Sequence, residues 1–215
     1  IFTNPWGRLG ARFNSGLCNV TSTPFISPEK FDDFPIGSIY VGYFQHYGFV
    51  TKVESIIVEE ITNQLMMKGL KDIALTDSEA NLEVIHVRQG DTASTANKQS
   101  VGVLNNDYYE RTLSSKTKFD LRIVITDDVA GAREVLRNVQ FDQIYGPQDL
   151  DLWNGLYLMS RSKRVIAANS TFSWWGGLLA SKNGAEVVIP KPFFINPSLS
   201  ADEALARSEE HTSEL

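Results

Sequence analysis

From residue 82 onward, short apolar runs alternate with longer segments in which apolar residues recur at helical spacing. The short runs predict strands and the longer segments predict helices. The predicted strands span residues 82–87, 121–126, 143–145, 164–168 and 186–189; the predicted helices span 106–115, 128–137, 149–162 and a segment around Trp174. Repeated strand–helix units indicate a parallel sheet covered by helices. The predicted fold class is therefore α/β, with a Rossmann-like domain.

The chain before residue 80 has a less regular pattern. Residues 1–36 are rich in Pro, Gly, Ser, Thr and Asn and predict loop, and a predicted strand follows at 39–44. Apolar residues between 49 and 70 recur at helical spacing and predict an amphipathic helix. The predicted buried face of this helix comprises Val53, Ile56, Ile57, Ile61, Leu65 and Met66. The paired Met66 and Met67 are interpreted as core filler.

Composition excludes several classes of protein. Of the 215 residues, 42% are hydrophobic and 21% are charged, as in an ordinary globular domain. The single cysteine, Cys18, excludes an internal disulfide framework and a cysteine-based zinc cluster. The sequence contains no apolar run of about eighteen residues, so it predicts no membrane span. A net charge of −6 argues against broad nucleic-acid binding.

The stretch 165–180 carries the first candidate site. A predicted strand ends just before Asn169, and Ser170 and Thr171 open a predicted helix. Backbone N–H groups at a helix start, aligned with the helix dipole, form an anion site. The stretch therefore predicts a phosphate site at the carboxyl edge of the sheet, where open α/β folds bind ligands. The alternative is a capped helix whose Trp174 and Trp175 fill the core.

A second candidate site, H-V-R-Q-G-D at 86–91, begins where the strand at 82–87 ends. Taken singly, His86 is typical of a buried core histidine and Arg88 of a surface ion pair. Two acidic residues, Asp127 and Asp128, end the next predicted strand. Their alternative interpretation is a helix start capped by Thr126, with the carboxylates complementing the dipole.

The string N-S-T-F-S-W-W-G at 169–176 resembles a signature of the α-1,2-fucosyltransferases, glycosyltransferase family 11. H-V-R-Q-G-D is similar to the H-x-R-R-G-D motif that this family shares with α-1,6- and protein O-fucosyltransferases. Matching segments, including G-Y-F-Q at 42–45 and D-Y-Y at 107–109, run in family order from about Gly42 to Phe194. The resemblance implies a GT-B type fold, in which two Rossmann-like domains face each other. Residues 1–79 would then be the remnant of the acceptor-side domain, and residues 80–206 the domain that binds GDP-fucose.

The resemblance also implies a reaction: metal-independent, inverting transfer of L-fucose from GDP-fucose to a galactoside hydroxyl. Arg88 would clamp the pyrophosphate, since a planar guanidinium can bind it in two places. Asp91 is the candidate base, with His86 as its support or substitute, and Asp128 would bind guanine. The predicted donor-binding residues are Arg88, Asp128, Asn169, Ser170, Thr171, Phe172 and Ser173. The implied partners are a nucleotide sugar and an acceptor glycan.

The chain departs from the family pattern at two places. Gln89 replaces the second arginine, and Asn154-Gly155 stands where relatives carry an acidic residue before L-Y-L-M-S. Both changes are expected to weaken donor binding or rate. The alternatives are thus a non-catalytic GDP-sugar-binding remnant, or a relative of the protein O- or α-1,6-fucosyltransferases. Asp149-Leu150-Asp151 matches the D-x-D of metal-binding glycosyltransferases, but acidic residues in a first helical turn need no metal.

The two ends of the chain carry further expectations. The true N-terminus is expected to be missing, and the fragment alone to be inactive. Residues 207–215 resemble a translated sequencing adapter, so they, with His211, are excluded from the site. The resemblance implies a cytoplasmic, bacterial-type enzyme with peripheral membrane association of the full-length protein, or a Golgi enzyme if the source is eukaryotic.

Overall fold

The computed structural model describes residues 20–22, 39–41, 54–68, 81–90, 103–113 and 118–191. The strands are β1 (Val20–Ser22), β2 (Ile39–Val41), β3 (Leu82–Val87), β4 (Leu121–Thr126), β5 (Gln143–Tyr145), β6 (Arg164–Ile166) and β7 (Glu186–Val188). The helices are α1 (Glu54–Lys68), α2 (Asn106–Leu113), α3 (Val129–Val135), α4 (Leu152–Arg161) and α5 (Thr171–Lys182). No helix within these ranges is long and apolar enough to cross a membrane.

Five strands form one sheet in the order β5-β4-β3-β6-β7, and every neighbouring pair is parallel. The chain starts this sheet at its centre, builds outward through β4 and β5, and then crosses to β6 and β7. This order matches five strands of a Rossmann-like sheet, with the reversal between β3 and β6. The predicted α/β class and parallel sheet are confirmed. The predicted GT-B arrangement and domain boundaries stay predictions.

Helices cover both faces of the sheet. Leu82 and Val84 of β3 point into a cluster with residues of α4 and α5, whereas Ile85 and Val87 point into a cluster with residues of α2 and α3. All six β3 residues are buried. Burial on two faces explains why the strands read as nearly continuous apolar runs. The predicted bounds of β3, β4 and β5 are correct to the residue.

Helix α1 lies against the outer side of α4 and α5. Val58, Ile61 and Leu65 form its packed stripe, in contact with aromatic residues of those two helices. The predicted face was wrong at Ile56 and Met66, which are 67% and 72% exposed. A helix that contacts its neighbours along one narrow stripe leaves apolar residues beside that stripe in solvent. Val53 and the Met67 side chain lie outside the described residues.

The prediction that residues 1–36 are loop was wrong at Val20–Ser22. These residues pair in parallel with Ile39–Val41, with Val20 opposite Ile39. The segment has β-branched residues at its first two positions, which favour strands, but three residues are too few to show alternation.

A row of four charged side chains crosses the sheet near the amino ends of its strands. Glu83 pairs in register with Arg122 and Arg164, and Arg164 pairs with Glu186. The Glu83 carboxylate is fully buried and binds both arginines; Arg164 Nη1 lies 3.1 Å from Glu83 Oε1, and Arg164 Nε lies 3.2 Å from Glu186 Oε2. Such a buried charge persists only when it is paired. Sequence reasoning missed this row.

Candidate functional site

The strongest candidate site lies where β3 and β6 end side by side. In open parallel sheets, ligands bind outside the carboxyl ends of the strands at the point where strand order reverses. Arg88 follows β3 and Ser170 follows β6. The Arg88 Nη1 donates a hydrogen bond of 3.2 Å to the Ser170 Oγ, across a sequence separation of 82 residues. The structure therefore brings together the two motifs that the sequence singled out.

The start of α5 is built differently from the starts of α3 and α4. Asp128 and Asp151 cap those two helices with side-chain hydrogen bonds. Ser170 is the N-cap residue of α5, yet its side chain makes no capping bond to this helix. The Ser170 hydroxyl instead accepts from Arg88. The first-turn amides of α5 are therefore not covered by the side chain that usually satisfies them.

The amide row at this helix start is shorter than the sequence predicted. The Ser170 N–H donates to the Ala168 carbonyl at 2.8 Å, so it is not aimed at a ligand. The fully buried Ser173 hydroxyl donates to the same carbonyl at 2.8 Å. Residues 171–173 form the first turn of α5, and the first turn is the part of a helix whose backbone amides can bind an anion. Asn169 is buried at the turn, while Thr171 is exposed.

His86 lies beneath this edge and is held neutral. Its ring centroid is 5.2 Å from that of Phe172, and only 5% of the residue is exposed. Burial, reinforced by the nearby Arg88 charge, lowers the pKa of His86 to about 3. Its Nδ1 is buried and has no hydrogen-bond partner among the described residues. A neutral imidazole, whose Nδ1 has no hydrogen-bond partner among the described residues, therefore lies beside Arg88 and the start of α5.

Phe172 lies between His86 and α4. A Cβ atom added to Gly155 would come within 2.8 Å of the Phe172 Cζ. The glycine therefore leaves the space that the ring occupies. An acidic side chain at 155 would have to displace the ring. The departure from the family pattern is thus coupled to the position of a predicted donor-binding residue.

Asp127 ties the end of β4 to the loop after β3. Its Oδ1 accepts from the Gln89 N–H at 2.8 Å and from the Gly90 N–H at 3.2 Å. The Gln89 side chain packs toward Gly131 of α3, and its Nε2 donates to the Leu104 carbonyl at 3.1 Å. Position 89 therefore faces the α3 side of the sheet, whereas Arg88 reaches Ser170.

Asp128 serves as a helix cap. Its Oδ1 accepts from the N–H groups of Ala130 and Gly131, each at 3.1 Å. The interpretation that Thr126 caps this helix was wrong, because the Thr126 hydroxyl bonds to the Asp128 backbone and the Asp128 side chain caps α3. The assignment of Asp128 to guanine stays a prediction. Asp91, the predicted base, lies outside the described residues.

The two carboxylates of the D-x-D at 149–151 accept hydrogen bonds from nearby backbone N–H groups. Asp149 Oδ2 accepts from the Gly146 N–H at 2.9 Å, and Asp151 caps α4 through the Asn154 N–H at 2.8 Å. Within the described ranges, no group of three or more His, Cys, Asp or Glu residues could hold a metal ion. An open cavity of about 600 Å³ lies near 103–107 and the end of α3, and its lining includes none of the predicted site residues.

The two tyrosines of the D-Y-Y string support the backbone beneath the site. The Tyr108 hydroxyl donates to the Ala167 carbonyl at 2.8 Å, and the Tyr109 hydroxyl donates to the His86 carbonyl at 3.2 Å. Each bond satisfies a backbone acceptor at the end of one of the two site strands. Burial raises the pKa of Tyr108 and of Tyr109 above the ordinary value, so both hydroxyls stay protonated and donating. The D-Y-Y string was the available signal.

The amino-acid sequence matches a known protein family. Residues 26–210 match the model of glycosyl transferase family 11. The chain is 32% identical over 120 residues to the O-antigen biosynthesis glycosyltransferase WbnK of Escherichia coli, covering 54% of this chain and 40% of that protein. It is 24% identical over 176 residues to an alpha-1,2-colitosyltransferase of Escherichia coli, covering 77% of this chain and 59% of that protein. The chain thus spans about half the length of these curated relatives. No solved structure matches the chain.

Proposed function

The chain belongs to glycosyl transferase family 11, and from that premise we propose that it binds a nucleotide-sugar donor between Arg88 and the start of α5. The reaction we propose for the complete protein is transfer of L-fucose from GDP-fucose to a galactoside hydroxyl, with inversion and without a metal. Residues 80–206 are the donor domain of a GT-B type enzyme, and residues 1–79 belong to the acceptor side. The partners are the nucleotide sugar and an acceptor glycan.

One observation carries this proposal: Arg88 Nη1 lies 3.2 Å from Ser170 Oγ at the strand-order reversal. A guanidinium and a row of helix-start amides at one point of a sheet edge form a site of positive potential. A diphosphate fits such a site, because it offers several oxygens to a planar cation and to backbone donors at once.

The proposed chemical step is a single displacement. The acceptor hydroxyl oxygen forms a bond to the anomeric carbon as the bond from that carbon to the GDP oxygen breaks. Negative charge builds on the β-phosphate, where Arg88 and the amides of 171–173 stabilise it. Removal of one such donor from a comparable site costs roughly 100- to 1,000-fold in rate.

The acceptor proton needs a base, and we assign it to Asp91. His86 is poorly suited to that role, since a pKa of about 3 makes it a weak base at neutral pH. The buried, neutral imidazole instead packs against Phe172 in the first turn of α5. His86 therefore supports the site by packing and not by titration.

A second donor is favoured by one relative. The protein that covers 77% of this chain is named as a colitosyltransferase. Colitose is the 3-deoxy analogue of fucose, so a site for either sugar differs chiefly in whether it pairs the 3-hydroxyl group. Parallel assays with GDP-fucose and GDP-colitose separate the two donors. Preference for GDP-colitose by tenfold or more in kcat/KM would replace fucose in the proposal.

The origin of the relatives bears on compartment and acceptor. Both are from Escherichia coli, and one is named for O-antigen biosynthesis. This origin supports a bacterial-type enzyme. We propose that it acts in the cytoplasm, with peripheral membrane association of the full-length protein. A saccharide of the cell envelope is the corresponding acceptor class.

Calorimetry on the 215-residue chain with GDP, UDP and ADP tests donor binding. The proposal predicts binding of GDP at least about tenfold tighter than UDP or ADP, and GDP binding weakened by at least about tenfold in Arg88→Ala. Arg161→Ala, which removes an exposed arginine at the far end of α4, is the matched control and should bind GDP normally. Equal affinity for the three nucleotides would contradict the proposal.

A transfer assay on the full-length protein then separates enzyme from remnant. Inverting transfer to a galactoside is the expected result. Selective GDP binding without turnover would favour a non-catalytic sugar-nucleotide-binding protein. Transfer to a peptide or to the innermost residue of an N-glycan would favour the protein O- or α-1,6- alternatives.

A further inference from the structure

The carboxylate of Asp127 joins two strand ends that both belong to the candidate site. The last paired residues of β3 and β4 are Val87 and Thr126, so the residues that follow them emerge side by side. Asp127 Oδ1 reaches across this gap and accepts from two consecutive amides, those of Gln89 and Gly90. A carboxylate that accepts two backbone hydrogen bonds fixes the local chain direction more strongly than one bond does.

The glycine in this loop is required by the same contact. A Cβ atom on Gly90 would lie 2.9 Å from the Asp127 Oδ2, closer than side-chain carbons approach carboxylate oxygens. The loop can come this near to Asp127 only because residue 90 has no side chain. Gly90 and Asp127 are therefore one structural unit, although 37 positions separate them.

Arg88 lies directly before the two amides that Asp127 holds. Its side chain reaches in the other direction, to Ser170 after β6. The loop after β3 is thus fixed on one side by Asp127 and connected on the other side to the start of α5. The neighbouring carboxylate, Asp128, has a separate task because its Oδ1 caps α3.

We propose that Asp127 is a positioning residue for Arg88: it holds the backbone at 89–90 so that the guanidinium meets the start of α5. This inference rests on the proposed function, since it concerns the same diphosphate site. It gives Asp127 a role in positioning Arg88 and none in the recognition of guanine.

Calorimetry with GDP on the 215-residue chain tests the inference. Asp127→Ala removes two backbone hydrogen bonds and should weaken GDP binding by about tenfold. Asp127→Asn keeps an acceptor oxygen and should stay within about threefold of the unchanged chain. Asp142→Ala removes a similar carboxylate–amide bond, to the Arg122 N–H at the opposite edge of the sheet, and should bind GDP normally. Gly90→Ala disturbs the contact from its other side and should match Asp127→Ala.

A double-mutant cycle distinguishes positioning from general loss of structure. If Asp127 acts through Arg88, then Asp127→Ala should change GDP affinity by less than about twofold in an Arg88→Ala background. A further tenfold loss in that background would overturn the inference.

A second experiment compares GDP with inosine diphosphate, which lacks the exocyclic amine of guanine. Positioning predicts that Asp127→Ala weakens both nucleotides by the same factor, whereas a lost preference for GDP would show guanine contact and overturn the inference.

The remaining outcomes separate this inference from the proposed function. Loss of GDP binding in Arg88→Ala but not in Asp127→Ala would overturn the positioning role alone. Failure of the unchanged chain to bind GDP would overturn the proposed function and the positioning role together.

Discussion

Gly176 of α5 faces Met159 of α4 at a distance that leaves no room for a side chain. A Cβ atom at 176 would lie 2.0 Å from the Met159 Sδ, and one at 177 would lie 2.8 Å from the Val187 Cγ1 of β7. The two glycines after the paired tryptophans therefore set the approach of α5 to α4 and to the sheet. These glycine contacts, together with the packing of Trp174 and Trp175 against α1, fix where the start of α5 stands.

Gly176→Ala should destabilise the fold. Overpacking of this kind costs typically 1–3 kcal/mol, measured as a lower urea midpoint. In a Met159→Ala background the sulfur is absent, so the added methyl should cost far less than in the unchanged chain. Equal costs in both backgrounds would mean that another contact determines the effect.

Glu83→Gln should be strongly destabilising. The substitution removes the negative charge between two arginines and leaves the buried Arg164 without its main counter-charge, a loss of about 3–5 kcal/mol. Glu186→Gln is the matched control at the exposed end of the same row, where the expected cost is below about 1 kcal/mol. Urea unfolding of both variants checks the difference, and similar midpoints would contradict the account of this row.

Stability should fall in mild acid because of His86. Its folded-state pKa of about 3 lies below the ordinary value of 6.5, so between these values the unfolded chain binds a proton that the folded chain excludes. The stabilising contribution is complete above about pH 6.5 and decreases on acidification, at roughly 1.4 kcal/mol per pH unit. The unchanged chain should therefore lose about 2–3 kcal/mol more than His86→Gln between pH 7.5 and 4.5. Equal losses in the two proteins would contradict the buried, neutral histidine.

Gly155→Glu should uncover His86. The added side chain must displace the Phe172 ring, which stands 2.8 Å from the site of its Cβ. Water then reaches the imidazole, and the pKa of His86 should rise toward the ordinary value. An NMR titration of the His86 ring protons checks this: the unchanged chain should show a neutral ring at pH 5, and the variant a partly protonated one. If the ring is neutral in both proteins, Phe172 is not the residue that keeps water from His86.

Much of the fold is visible in the sequence because the sheet is buried on both faces. Strands with no solvent face appear as apolar runs with clear ends, and the bounds of β3 are accordingly correct. The charged row escaped prediction because Glu83 meets its partners across separations of 39 and 81 residues. The predicted buried face of α1 was wrong at Ile56 because it also depends on tertiary contacts. The residues that a helix buries are decided by the elements packed against it.

The part of the site that depends on strand order and on the carboxyl edge of the sheet was predictable from the sequence. Arg88 and Ser170 both follow strands of one parallel sheet, so their meeting could be expected. The different roles of Asp127 and Asp128 could not be predicted, because the two carboxylates are adjacent and share the same sequence context. Which backbone amides each one meets is decided by the tertiary approach of β3 and α3.

The central claim is that Arg88 and the start of α5 bind the diphosphate of the donor. The most direct measurement compares GDP with guanosine, which lacks phosphate, on the unchanged chain and on Arg88→Ala by calorimetry. The account predicts that Arg88→Ala weakens GDP by at least about tenfold, as for a lost charge-assisted hydrogen bond, and leaves guanosine affinity unchanged. Equal weakening of both ligands, or of neither, would contradict it.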